Sequence, residues 1–577
     1  MIMKESMSQR VERKYPGKKR VIDAASGRRD ADLVLKNASF INVFSNEICE
    51  GDIAISEGLI VGIGSYKGER EIDVSGKIVS PGFIDAHIHL ESSLVSPSEF
   101  AKAVLPHGTT TVVCDPHEIA NVMGTDGIDY MIKATENLPI DVHFMLPSCV
   151  PSTPEDESGA KLSFEDLDPY FENGRVLGLA EMMNYEGVCD GDKDTVSKIL
   201  TSQGHHKKID GHAPGLSGKR LNAYIAAGVY SDHECSDFEN AIEKLRLGQF
   251  IMIREGTAAK NLSSLIPLLS PEYSSRCMFC TDDKHPSDIL FEGHIDSIVK
   301  KAVSAGVDPI VAMKVATHNA ARYFLLNNKG AVAPGYLADI AVLDNLENFE
   351  VKTVLKRGKV VFDNGRVTEF SSPIIDGRLR EKAENSFCMR ALFADDFKNN
   401  SPLGIIGLVK GEIISENLGK AENIDVSKDI LKVAVVERHK NTGHIGVGFI
   451  KGYGLKRGSV ATSISHDSHN IIVVGENEED MAFAVNKVKE QRGGIAVVDN
   501  GRVLASLPLE IAGLMTNKPL LETNSLLENA KTAAEKLGVS KGVDPFMTLS
   551  FMSLTVIPEY RITTKGVFDV SSRKYVN

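Results

Sequence analysis

Hydrophobic and polar positions change their rhythm three times along the chain. From residue 31 to about 80, short β-branched runs are broken by glycine, as in Ala54-Ile55-Ser56-Glu57-Gly58-Leu59-Ile60-Val61-Gly62. That texture predicts hairpins. After Pro81, short apolar runs alternate with helical stretches; examples are Thr110-Thr111-Val112-Val113-Cys114, Val142-His143-Phe144-Met145-Leu146, Val176-Leu177-Gly178-Leu179-Ala180 and Phe250-Ile251-Met252-Ile253. Alternating strands and helices imply a parallel sheet, and a span of about 250 residues is the usual size of an eight-stranded barrel. Ala338-Asp339-Ile340-Ala341-Val342-Leu343 and Lys359-Val360-Val361-Phe362 return to β character around the turn Asp363-Asn364-Gly365. Beyond about residue 375, Val433-Ala434-Val435-Val436 and Ile471-Ile472-Val473-Val474 read as buried strands and Met481 to Glu490 as a helix.

The pattern predicts an α/β chain: a (β/α)8 TIM-type barrel over residues 81–330, flanked by a small β-sandwich domain split between 31–80 and 331–372. A C-terminal α/β domain follows over 373–577, and residues 1–30 are expected to be a loose basic arm. At 577 residues, more than one domain is expected.

Composition narrows the function classes. Formal net charge is −13, which argues against a protein that tracks nucleic-acid phosphates. A free nucleobase carries no phosphate and stays open as a substrate. Met1 to Arg20 has no apolar core of the signal-peptide kind, and no apolar run approaches the ~18 residues a membrane span needs. Eight cysteines in so long a chain do not suggest a disulfide framework. The expectation is a cytoplasmic enzyme with no membrane partner.

In a barrel of this kind the chemistry sits at the C-terminal ends of the strands. His87 and His89 end the run Gly82-Phe83-Ile84-Asp85-Ala86, and residues i and i+2 of a strand share a face. Two imidazoles can therefore hold one ion from one strand end. Glu181 follows Leu177 to Ala180. His212 sits in Ile209-Asp210-Gly211-His212-Ala213-Pro214, His233 and Glu234 follow Gly228-Val229-Tyr230, and Asp282 and Asp283 follow Arg276 to Thr281. Each has a bland alternative: a solvated helix start for Glu181, a turn residue for His212, a core histidine for His233, a helix cap for Asp282. Their joint recurrence on successive strand ends is the informative observation.

Three stretches, Pro81-Gly82-Phe83-Ile84-Asp85-Ala86-His87-Ile88-His89, Ala316-Thr317-His318-Asn319-Ala320-Ala321 and Pro334-Gly335-Tyr336-Leu337-Ala338-Asp339-Ile340, resemble the amidohydrolase superfamily of metal-dependent hydrolases. Others resemble its adenine deaminase family: His89-Leu90-Glu91-Ser92-Ser93, Cys114-Asp115-Pro116-His117-Glu118-Ile119-Ala120-Asn121-Val122, Ser465-His466-Asp467-Ser468-His469-Asn470 and Asp544-Pro545-Phe546-Met547-Thr548. The resemblance implies hydrolytic deamination of adenine to hypoxanthine and ammonia by a metal-activated hydroxide, a purine-salvage reaction. It implies His87, His89, His212 and Asp282 as metal ligands, with Glu181 bridging two ions and His233 on the second. It further implies Asp282 and Glu234 as the catalytic pair, and His117, Glu118 and Asp283 as candidates for base binding. Adjacent strand residues face opposite ways, so His233 and Glu234 converge only if the strand ends or bulges there. Mixed nitrogen and oxygen ligands suit manganese, iron or zinc; the resemblance favours Mn2+ or Fe2+ in a binuclear site, and a homodimeric assembly. Cyclic-amide hydrolases of the superfamily usually carry a carboxylated lysine at the fourth-strand position, where this chain has Glu181.

Cys277-Met278-Phe279-Cys280 has zinc-like spacing, but on a strand i and i+3 face apart, so buried core cysteines are expected. Gly443-His444-Ile445-Gly446-Val447-Gly448 does not match a dinucleotide fingerprint. Two alternatives stay open at this level: a superfamily deaminase or deacetylase for another small substrate, and a non-catalytic scaffold.

Overall fold

The computed structural model describes residues 6–409, 414–557 and 559–576. The glycine-punctuated N-terminal runs form β1 (Leu33–Asn42), β2 (Glu47–Ser56), β3 (Leu59–Gly64), β4 (Glu71–Asp73) and β5 (Ile78–Pro81). Gly58, in the left-handed conformation, turns β2 into β3. After the barrel, from Ile340 onward, the chain returns to complete this sheet, the turn at Asn364-Gly365 included.

The barrel strands are β6 (Phe83–Ile88), β7 (Thr109–Cys114), β8 (Asp141–Leu146), β9 (Val176–Met182), β10 (Lys208–Gly211), β11 (Ser231–Asp232), β12 (Phe250–Arg254) and β13 (Cys277–Cys280). β6 to β10 pair in parallel, as do β11 to β13. The Tyr230 amide donates to the Ile209 carbonyl across the first junction, at 3.1 Å. Across the second, Asp282 N–H donates to the His87 carbonyl (2.9 Å) and His89 N–H to the Asp282 carbonyl (3.1 Å). Ile84, Ala86, Val113, Met145, Ala180, Met252, Met278 and Cys280 fill the inside, while Phe83, Val112, Phe144, Leu179, Ile251 and Cys277 pack outward against the helices. Cys277 and Cys280 thus belong to different cores, as strand geometry requires. Asn319 donates its side-chain amide to the carbonyls of Ser274 and Cys277 and so fixes the entry to β13.

After the barrel come β14 (Ile340–Leu343), β15 (Val351–Lys356), β16 (Lys359–Asp363) and β17 (Arg366–Val367). β14 runs antiparallel to β5, Ile340 opposite Pro81, which joins the two flanks into one sheet. Leu35, Phe40, Ile53, Ile60, Val79, Ile340 and Leu355 form its core.

The C-terminal unit is an eight-stranded sheet. Its strands β18 (Leu403–Leu408) to β25 (Arg502–Pro508) include β20 (Ile430–Val436) and β23 (Ile471–Gly475). On β20, Val433 and Val435 enter one core while Ala434 and Val436 enter another. Burial on both faces explains the unbroken apolar runs. Helix Glu478–Glu490 covers one face. Thr516 pairs with the loop after β6, its N–H donating to Leu94 and its carbonyl accepting from Ser96, which holds this unit against the barrel mouth.

One expectation is corrected. Residues 7–25 form an α-helix where the sequence suggested a loose basic arm. Ser6 and Gln9 form a reciprocal capping box, and Tyr66 donates its hydroxyl to the Ala25 carbonyl, which anchors the helix on the β-sheet.

Candidate metal centre at the barrel mouth

Of the strand-end residues singled out from the sequence, His89, Glu181, His212, His233, Glu234, Asp282 and Asp283 line one cavity, and His87 lies against Asp282 and His233 beside it. His87 and His89 leave β6 with ring centroids 4.9 Å apart. His89 Nδ1 lies 3.0 Å from the Asp115 carbonyl, so it carries the proton and Nε2 keeps a free lone pair. His89 Nε2 is 3.3 Å from Asp282 Oδ1 and 3.4 Å from Glu181 Oε1. His87 Nε2 is 3.4 Å from Asp282 Oδ1, and its ring stacks on His233 at 4.5 Å.

Glu181 occupies the end of β9, inside the strand, and Ser148 fixes its carbonyl through a 2.5 Å hydrogen bond. Its Oε2 is 2.8 Å from His212 Nδ1 and 3.0 Å from His233 Nε2, so the carboxylate reaches both histidine groups with different oxygens. β11 ends at Asp232, which frees the next two residues from strand alternation. His233 and Glu234 therefore both turn inward, 3.5 Å apart. Asp232 holds this corner: it accepts from the amides of Ala213 and Glu234 and from Lys244 Nζ.

Asp282 has φ of 57°. Left-handed backbone is tolerated by Asp better than by most residues, and here it follows the strand pairing that closes the barrel beside His87. Arg254, at the end of β12, was not singled out from the sequence. Its guanidinium donates to Asp282 Oδ2 (2.5 Å) and to Glu234 (2.6 Å to Oε1, 2.9 Å to Oε2). Asp283 faces the same cavity and accepts from Ser92 Oγ at 2.5 Å.

The donor set suits divalent cations. His87, His233 and Asp282 form one compact group, and Glu181, His212 and His233 form another. Buried His87 Nε2 has no hydrogen-bond partner, an atom that a cation would satisfy. A further group, His89, Asp115, His117 and Glu181, extends the cluster toward β7. The cavity measures about 520 Å³, within the size of small-molecule sites. Beside these donors it is lined by Met183, Tyr185 and, from the C-terminal unit, Ile414, His466, Asp467 and Phe551.

Residues 78–361 match the amidohydrolase family, and residues 410–574 match the adenine deaminase C-terminal domain. Adenine deaminase 2 of Carboxydothermus hydrogenoformans is 46% identical over 564 residues, covering 96% of this chain and 98% of that protein. Adenine deaminase of Clostridium acetobutylicum is 46% identical over 567 residues, covering 96% and 99%. The chain belongs to the adenine deaminase family. Among solved structures, D-hydantoinase has a TM-score of 0.46 at 16% identity, covering 58% of this chain and 96% of that one. A β-aspartyl dipeptidase from Fervidobacterium islandicum AW-1 has a TM-score of 0.45 at 18% identity, covering 59% and 99%.

What sets this family's mouth apart here is the second contribution to it. His117 Nδ1 contacts Asp115 Oδ2 at 3.0 Å and its ring lies 4.4 Å from His89. Glu118 does not face open space: Oε1 meets His466 Nδ1 at 2.7 Å and Oε2 meets His469 Nε2. Burial alone would raise Glu118, but the histidines of the C-terminal unit and His117 hold it well below the usual carboxylate range. The charge that binds the two units is therefore part of the cavity wall.

Proposed function

We propose that this chain converts adenine and water to hypoxanthine and ammonia, with His87, His89, Glu181, His212, His233 and Asp282 holding one or two divalent ions. The observation that carries the reading is the joint one. A metal-capable donor set lines a cavity sized for a small molecule, in a chain 46% identical end to end with curated adenine deaminases. Manganese or iron fits the mixed imidazole and carboxylate donors, with zinc as a competent third.

These side chains would hold a divalent ion, which would supply the Lewis acidity that makes hydroxide available near neutral pH. Asp282 takes the proton that the water loses and passes it to the amine leaving C6, the general acid–base role of a fixed carboxylate. Arg254 restrains Asp282 through Oδ2 and leaves Oδ1 toward His87 and His89. Glu234 is assigned to proton delivery at a ring nitrogen, which makes C6 more electrophilic, and it is recharged by the second proton of the attacking water as the C6 carbonyl forms and ammonia leaves. Arg254 bridges Glu234 to Asp282 and so ties the two proton carriers into one unit. Asp283, with Ser92 on one oxygen, offers its other oxygen to the base. Glu181 in place of a carboxylated lysine supports a deaminase over a cyclic-amide hydrolase.

Among the described residues no helix is long and apolar enough to cross a membrane. The reading makes it a purine-salvage enzyme of the cytoplasm, and superfamily membership favours a homodimer, which light scattering on the purified protein checks. The decisive experiment follows adenine absorbance and ammonia release in metal-stripped protein with and without added Mn2+. Mn2+-dependent hypoxanthine formation is the expected result. A fully metal-loaded protein that leaves adenine intact but turns over another aminated heterocycle or an N-acetyl sugar would sink the assignment.

A further inference from the structure

His466 sits on the C-terminal unit and lines the barrel's cavity together with Asp282, Glu234 and Phe551. Three contacts fix its ring. Nδ1 is 2.7 Å from Glu118 Oε1, the ring stacks on Phe551 (5.0 Å between centroids, planes 20° apart), and its own amide donates to the Ser550 carbonyl at 2.9 Å. Glu118 is itself immobilised from the other side. His469 Nδ1 accepts from the Ser465 amide at 3.3 Å, so its proton is on Nε2 and points at Glu118 Oε2. That proton arrangement also leaves His469 no lone pair for a cation, so this cluster is a hydrogen-bonded clamp rather than another metal site. Burial would lower the basicity of His466, but the Glu118 carboxylate outweighs it and pushes the pKa up to about 9. The ring is then a donor at both nitrogens near neutral pH. Nδ1 is spent on Glu118. Among the described residues Nε2 has no partner, and it is not among the closed-off atoms, so it opens on the cavity.

We propose that His466 is a substrate contact contributed by the C-terminal unit, its Nε2–H donating to an unprotonated ring nitrogen of the purine, with Glu118 and Phe551 fixing its direction. The inference rests on adenine being the substrate. It assigns Glu118 a positioning role through His466 in place of direct contact with the base. It also gives a physical reason for the family's second domain. The barrel carries the metal donors, and the cap carries a donor to the base.

The test uses metal-loaded full-length protein and three ring analogues, 1-deaza-, 3-deaza- and 7-deazaadenine, as competitive ligands. A hydrogen bond from a charged donor contributes on the order of 10–100-fold in affinity. His466→Ala is expected to raise KM for adenine by about that factor with metal content unchanged, and the wild type to lose the same factor for the analogue that lacks the nitrogen His466 meets. For that analogue, His466→Ala and wild type then bind alike. Should His466→Ala fold poorly, His466→Gln, which keeps a distal N–H, is expected to recover part of the loss. Equal losses across adenine and all three analogues, or no loss at all, would overturn the proposal by leaving His466 a structural role or none. A wild type that neither binds nor deaminates adenine overturns the substrate reading itself and is told apart by its silence toward the whole panel.

Discussion

The two ends of the barrel each bury a cluster of charge, and the clusters are built on opposite rules. At the N-terminal end, Asp141 at the start of β8 and Asp339 just before β14 face Lys329 and Lys356 in a near-square of ion pairs of 2.5–2.6 Å. Lys329 also donates to Thr111 Oγ1 and the Arg357 amide to Asp339 Oδ1. Charge balances, and no polar atom of these four side chains lacks a partner among the described residues. At the C-terminal end, imidazoles crowd carboxylates at 2.8–3.5 Å, and His87 Nε2, Asp115 Oδ1, Glu91 Oε2 and Asp467 Oδ2 are buried without partners. A satisfied cluster joins the split β-unit to the barrel. An unsatisfied one holds capacity for a ligand. Barrels of this type put stability at one face and chemistry at the other, and the completed square of ion pairs and the unpartnered metal-capable donors fall on those two faces accordingly.

The largest effect that separates the two ends is on turnover. Asp282→Asn removes the proton carrier while keeping a residue that accepts left-handed backbone. Its kcat is expected to fall by roughly 10²–10⁴-fold, the scale of a lost general acid–base. The unfolding midpoint of the metal-free protein is expected to stay close to wild type. Near-normal turnover at full metal loading would return Asp282 to a ligand-only role.

The mirror-image change acts on stability. Asp339→Ala leaves Lys329 and Lys356 buried against Asp141 alone. Breaking such a pair destabilises by about 3–5 kcal/mol, read from guanidinium unfolding, with kcat per folded molecule unchanged. Loss of turnover without loss of stability would contradict the division between the two ends.

The C-terminal half of this division is legible in the sequence and the ion-paired half is not, because its four partners come from distant segments. His87, His89, Glu181, His212, His233 and Asp282 were found because a metal donor at the end of an apolar strand is a local pattern. Arg254 ends such a run too, yet arginine is not a metal donor, so a search by donor type passes over it. The convergence of His233 with Glu234 depended on β11 being two residues long, which alternation cannot reveal. Glu118 and His469 meet across 351 positions, a pairing that no local pattern encodes. The N-terminal helix was hidden differently. Ser6 and Gln9 spell a capping box, but the density of Lys and Arg between residues 10 and 20 suggested a solvated arm.

A smaller effect comes from pH at the N-terminal end, where His143 does not share in the ion pairs of Lys329, Lys356, Asp141 and Asp339. His143 on β8 has both ring nitrogens buried without partners, and burial, reinforced by Lys329, lowers its pKa to about 4. In the unfolded chain it titrates near 6.5. Above that value it is neutral in both states and stability is unaffected. As pH falls from there toward 4, only the unfolded state takes up the proton, so stability is lost. At pH 5 the loss from this one residue is about 2 kcal/mol. Denaturant titrations of His143→Gln at pH 7 and pH 5 are expected to differ by that much less than those of the wild type. An identical pH dependence would place the sensitivity elsewhere.

The smallest expected effect concerns the cysteines whose spacing imitates a metal site. Cys277 packs in the outer core and Cys280 in the inner one, so no single ion can reach both sulfurs without breaking β13. Burial pushes the Cys277 thiol up to about 12, which removes the thiolate a metal needs. The double variant Cys277→Ala, Cys280→Ala is therefore expected to keep the metal content and kcat of the parent. Each change loses only the packing of one sulfur in a core without room to spare, roughly 1 kcal/mol apiece. Because strand alternation puts the two cores on opposite sides, the two losses are expected to add. A drop in bound metal would mean that the spacing reads true and that the strand assignment of residues 277–280 fails, which makes this mild substitution a stringent check on the barrel itself.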